Sequence, residues 1–149
     1  MEISFPFNAT NQSDRSVLPS TKAFLNKNAS DYPIEKQRAD QLGVPRAEKG
    51  SAEFLPLLQT YLHVKWAYTV FRKLHITPEN FMREEIPHSI AAGNSPVFCA
   101  GLAEFRDGTV YVNNWTGHYR VEAVRAASDI IEAWAGCGLV VHVTELIGQ

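Results

Sequence analysis

The dipeptide Asp107-Gly108 constrains this chain more than any other feature. It separates two short apolar runs, 97–105 and 109–113. A type I′ turn needs positive φ at both central residues, and Asp-Gly supplies that at little cost. Two strands joined so tightly form an antiparallel hairpin. Beyond it, Val121, Val124, Ala127, Ile131 and Trp134 recur at steps of three and four, a helical stripe that Gly136 and Gly138 close. Residues 139–146 read as a final strand. Hairpin, helix and strand imply an α+β fold around a small antiparallel or mixed sheet.

The first half has a different grain. Residues 1–50 are rich in Ser, Asn, Thr, Gln, Pro and charged side chains. The stretch 1–13 has no helical or strand period and too little apolar surface to offset its ordering entropy. The expectation is a disordered arm over 1–50, serving as a flexible, secretion or partner-binding segment, ahead of one α+β domain over 51–149. Within the arm, short helices are expected at 21–27 and at 34–42, the second ending at Gly43. The expected domain starts with helical structure. Leu57, Tyr61, Val64, Tyr68, Phe71 and Leu74 fit a helix over 55–75, and Thr77-Pro78-Glu79 opens a shorter one that Pro87 ends.

The long helix would interleave Lys65, Arg72 and Lys73 with Trp66, Val70, Phe71 and Leu74. Such basic amphipathic helices can bind calmodulin or membrane surfaces, but a core helix with a solvated edge is the preferred reading.

A net charge of −2 carries no basic excess, so nucleic acid enters only as a substrate. No apolar run spans a membrane, and no cleaved leader is visible. The expectation is a soluble protein, with any secretion into a host or target cell using another route. Cys99 and Cys137 lie in no metal-ligand spacing and read as two buried thiols, with a disulfide between them as the alternative. No metal motif occurs.

Two junctions concentrate reactive side chains. One is His88-Ser89. The other is Thr116-Gly117-His118-Tyr119-Arg120, between a strand and a helix. A helix start favours anions through its exposed N–H groups and dipole. There Thr116 would cap, Gly117 would allow close approach, Arg120 would pair with phosphate, and His118 could move protons near neutral pH. A nucleotide would suit such a turn. An ordinary strand-to-helix turn also explains Thr-Gly.

At these same residues the sequence resembles a domain of plant IQ-motif calmodulin-binding proteins of the IQM group, a domain also found in bacterial effectors and polymorphic-toxin tails. Its pattern is H-S-S-x-x-A-G-G-P-V-x-A-A-G, then a hairpin with N-G or D-G, then S-G-H-Y-x-P. The matching residues are His88-Ser89, Pro96-Val97, Ala100-Gly101, Asp107-Gly108 and Gly117-His118-Tyr119, in that order. Ile90 stands for the second Ser and Val121 for the final Pro. The IQ motif is absent, so calmodulin binding does not carry over. The resemblance implies a shared fold and a shared His/His-Tyr surface, and the expectation drawn with it is a bacterial effector or toxin-type protein.

A second resemblance is to ADP-ribosyltransferases of the His-Tyr-Glu type. It implies NAD as substrate, with His88 and His118 as the catalytic pair, Tyr119 stacking on the nicotinamide and Glu145 stabilising the oxocarbenium. Metal-independent RNA cleavage is the other reaction that fits, with His88 and His118 as general base and acid. In both, Ser89, Thr116, Gly117 and Arg120 would bind the ligand. The competing class is a non-enzymatic module that docks on a host target, a chaperone or an immunity protein.

Overall fold

The computed structural model describes residues 5–8, 19–117, 119 and 123–146. Its strands are β1 (Phe5–Asn8), β2 (Ala47–Glu48), β3 (Val64–Thr69), β4 (Leu74–Pro78), β5 (Asn80–Phe81), β6 (Glu84–Glu85), β7 (Val97–Arg106), β8 (Thr109–Asn113) and β9 (Val140–Glu145). Its α-helices are α1 (Tyr32–Leu42), α2 (Phe54–Thr60), α3 (His88–Ala92) and α4 (Ala123–Trp134). Seven strands form one mixed sheet in the order β1-β9-β8-β7-β3-β4-β2, and β5 pairs with β6 apart from it. The fold is α+β.

The β7–β8 hairpin turns at Asp107 (φ 50°) and Gly108 (φ 80°), which is the positive-φ pair that Asp-Gly favours. The β8–β9 pair is the sheet's one parallel neighbour among the described strands. It must therefore be joined by a crossover, and α4 lies in that connection.

Both faces of the sheet are covered, so all six residues of β3 are buried. Alternate residues of a strand face opposite sides. On one side Trp66 packs against Trp134 of α4 (ring centroids 6.1 Å apart), and Phe54 of α2 reaches the same Trp134 (5.9 Å). On the other side α3 lies against β3, β4 and β7, with α1 packed on α3.

The helix expected over 55–75 is corrected to α2 followed by β3 and β4. Tyr61 is already extended (φ −105°, ψ 138°), so α2 stops there. The three-and-four spacing concealed a period of two. A strand buried on both faces shows no polar alternation, and β3 reads as a continuous apolar run broken by Lys65. The basic amphipathic helix disappears with it. Lys65 sits within β3, while Arg72 (φ 59°) and Lys73 lie in the β3–β4 turn. The expected helix at 77–86 is also absent. Thr77 and Pro78 end β4, and Met82 and Arg83, both at positive φ, turn the β5–β6 hairpin. Pro87 opens α3 instead of ending a helix.

From residue 19 the expected arm is laid on the body. Ser20 Oγ donates to Asp129 (2.6 Å) and its N–H to Glu132 (3.1 Å), both on α4. Phe24 exchanges two backbone hydrogen bonds with Val97, and Asn26 bridges to Tyr119. These bonds hold 21–27 out of the helix expected there. α1 forms where expected and ends at Gly43 (φ 72°). Cys99 and Cys137 are free thiols. Among the described residues no helix is long and apolar enough to cross a membrane.

Candidate functional site

The site originates where the sheet opens. β7 pairs with β8 from Arg106 back to Ala103, and there the ladder stops. The segment 113–114 instead passes directly over Gly101. A Cβ on Gly101 would lie 1.8 Å from the Asn113 carbonyl oxygen. Glycine is required there for space.

Side chains replace the lost ladder. Asn113 Oδ1 accepts from the N–H groups of Leu102 (3.0 Å) and Trp115 (2.9 Å). The Trp66 indole N–H donates to the carbonyls of Leu102 (3.1 Å) and Asn113 (3.2 Å). His88 Nε2 donates to the Gly101 carbonyl at 2.7 Å. Buried backbone groups need partners, and these contacts supply them.

The polar side chains of the pattern that the structure describes, His88, Ser89 and Tyr119, bond within the domain. His88 is 2% exposed, and Ser89 is fully buried with its hydroxyl on Glu35 (2.6 Å). Tyr119 is also fully buried, its hydroxyl donating to the Ser95 carbonyl (3.1 Å). Burial pushes the Tyr119 hydroxyl well above the usual phenol range, with smaller contributions from Tyr32 and Glu35. It remains neutral at any physiological pH. His118 and Arg120 lie outside the described residues. So does the chain entering α4, where Thr116 was expected to cap and bind an anion.

Next to the opening is a cleft of about 370 Å³, edged by His88, Leu102, Trp115, Thr116 and Gly117 with Lys65 and two carboxylates. The structure therefore brings His88, Thr116 and Gly117 together. It does not bring Glu145 to them. That residue ends β9 opposite Asn113 and lines neither this cleft nor its neighbour.

The neighbour is a second lobe of about 450 Å³, sharing Lys65, Glu85 and Gly117 with the first. Ile34, Ala39, Leu42, Ile86 and Pro87 give it a mainly apolar wall. Two large apolar side chains stay open to solvent along this groove, Ile34 at 71% and Trp115 at 44% exposure. Lys65 has little exposed side chain and is held by Glu85 at 2.9 Å. Counting the described lining residues, the carboxylates outnumber the cations in each lobe. The described walls thus give no net attraction for a phosphate. Among the described residues no group of three His, Cys, Asp or Glu gathers to hold a metal.

Lys65, Ile34 and Leu42 were not legible as site residues. Lys65 was read as part of a helix over 55–75, and Ile34 and Leu42 only as the ends of a short helix within the arm. The available signal was a lone Lys inside an otherwise apolar run.

Comparison of the chain with protein-family models, with curated proteins and with solved structures finds no match.

Proposed function

We propose that this chain is a protein-binding module whose working surface is the two-lobed groove. The partner classes are those of an effector or toxin-type protein: a host target, a chaperone or an immunity protein. One observation carries the reading. The polar residues His88, Ser89 and Tyr119 are committed to partners inside the domain, while Ile34 and Trp115 stand exposed at a concave, mainly apolar surface. Exposed aromatic and aliphatic anchors beside a pocket are the usual composition of a recognition site. Seating one partner side chain in the apolar lobe contributes about 1.5–3 kcal/mol.

ADP-ribosyl transfer from NAD and RNA cleavage draw less support. His88 Nε2 carries a proton that it gives to a backbone carbonyl, so that nitrogen cannot serve as a base. Tyr119 is beneath the surface, and Glu145 is away from the groove.

Selection of peptides from a displayed library against the full chain tests the proposal. Selected peptides are expected to lose at least tenfold in affinity for Ile34→Asp and for Trp115→Ala. Peptides indifferent to both substitutions overturn it. So does turnover of NAD or RNA by the wild-type chain that His88→Ala abolishes.

A further inference from the structure

A separate hollow of about 580 Å³ lies over the β2–β4 edge, lined by Arg46, Glu48, Phe71, Lys73 and His75, with Thr69 and Ser95. Its charges do not balance. Arg46 is anchored by its Nε, which donates to the Ala91 carbonyl at 2.9 Å. Among the described residues no carboxylate comes within ion-pair distance of its guanidinium. Lys73 has only Glu48, at 3.6 Å, and the same Glu48 is 3.9 Å from His75 Nε2. Both separations exceed hydrogen-bonding distance. Two permanent cations and a histidine therefore share one carboxylate.

The histidine adds a second observation. His75 is 9% exposed, and its Nδ1 is buried with no hydrogen-bond partner. Buried polar atoms are rarely left so, and the ring that carries this one lines the hollow together with both cations. Phe71, 70% exposed, adds an open aromatic face to the same hollow.

We infer that this hollow binds a small phosphate monoester carrying a planar group, the phosphate held by Arg46 and Lys73 beside His75 and the planar group stacked on Phe71. A guanidinium with its Nε already fixed presents the remaining N–H donors in a geometry that suits phosphate oxygens. The ligand's charge offsets the excess that Glu48 alone leaves. This site is independent of the groove and does not depend on the module reading.

The binding has a titration signature. Burial first, then the charges of Arg46 and Lys73, hold the imidazole at about 4, with Glu48 pulling the other way. A dianion in the hollow offsets the two cations and raises that value. Arg46, Glu48 and Lys73 are the ionisable groups among the described residues of the hollow.

The experiment titrates phenyl phosphate, glycerol phosphate and inorganic phosphate into the full chain at pH 7.5, followed by amide NMR shifts of the folded protein. Phenyl phosphate is expected to bind at least threefold more tightly than the other two. Lys73→Met, at an exposed position, and Arg46→Met are each expected to weaken it at least tenfold, and Phe71→Ala to remove the preference for the phenyl ester. Sulfate, a dianion throughout, is expected to raise the His75 midpoint by at least one pH unit. Equal binding by wild type and Lys73→Met, or a His75 midpoint that sulfate leaves in place, overturns the inference.

Discussion

His88 Nε2 and the carbonyl oxygen of Gly101 lie 2.7 Å apart, and the contact closes the point where β8 leaves β7. The carbonyl has no proton to give, so the imidazole must be the donor. That fixes which nitrogen is protonated and ties α3 to the centre of the sheet. It also joins His88 of His88-Ser89 and Gly101 of Ala100-Gly101, two motifs read separately in the sequence, in one structural bond. Replacing His88 by Ala removes the donor, strands a buried carbonyl and leaves a void. The expected loss is about 2–4 kcal/mol, read from denaturant unfolding at neutral pH. A variant as stable as the wild type would remove the structural role assigned to this histidine.

Two glycines of the same region separate space from convenience. Gly101 sits under the Asn113 backbone, where a Cβ would be 1.8 Å from an oxygen. Among the described residues beyond its chain neighbours, none has an atom within 4 Å of the corresponding position at Gly117. Gly101→Ala is therefore expected to cost about 3 kcal/mol or more, because two backbone segments must part. Gly117→Ala is expected to stay within about 0.5 kcal/mol of wild type. Parallel urea melts of the two variants check both numbers. Equal melting would mean that the 113–114 segment can move away from β7 freely.

How much of this was legible in the sequence follows from which physical signal each element carries. Asp107-Gly108 and Gly43 were readable because the φ they adopt is a local matter that few residues tolerate. α4 was readable because its apolar residues keep a period near 3.6, and α1 because Gly43 and Pro45 mark its end. β3 and β4 were not, because burial on both faces erased the alternation that marks a strand. The site suffered more than the fold. His88 and Tyr119 looked reactive as isolated letters. Only the structure shows that His88 Nε2 is spent on the Gly101 carbonyl at the ladder gap and the Tyr119 hydroxyl on the Ser95 carbonyl. The groove and the Arg46–His75 hollow are assembled from elements far apart in the chain, so no spacing rule brings Lys65 beside Gly117 or Arg46 beside Lys73.

Tyr119 offers a direct check on the catalytic expectation. Its hydroxyl is buried and bound to Ser95, and burial keeps it protonated far into the alkaline range. Tyr119→Phe is expected to destabilise by about 1 kcal/mol, the usual net worth of one hydrogen bond. The ultraviolet absorbance step of tyrosine ionisation near pH 10 is expected to keep its full size in this variant, since Tyr119 does not contribute to it. A smaller step would place the ring in contact with solvent.

The pH dependence of stability should carry the mark of His75. Its folded value of about 4 lies below the ordinary 6.5, because desolvation and the nearby Arg46 and Lys73 outweigh Glu48 at 3.9 Å. Between these two values the unfolded chain binds the proton and the folded chain refuses it. Stability therefore rises with pH across that window. The contribution is fully present above pH 6.5 and is lost as pH falls towards 4. At about 1.4 kcal/mol per unit, this one group accounts for at most about 3–4 kcal/mol. His75→Leu keeps a side chain of suitable size and removes the titration. In unfolding experiments from pH 4 to 7, the difference in stability between variant and wild type is expected to move in the variant's favour as pH falls, by up to that amount. A difference that does not change with pH would mean that His75 is already solvated, and with it the orphaned Nδ1 that marks the basic hollow would lose its significance.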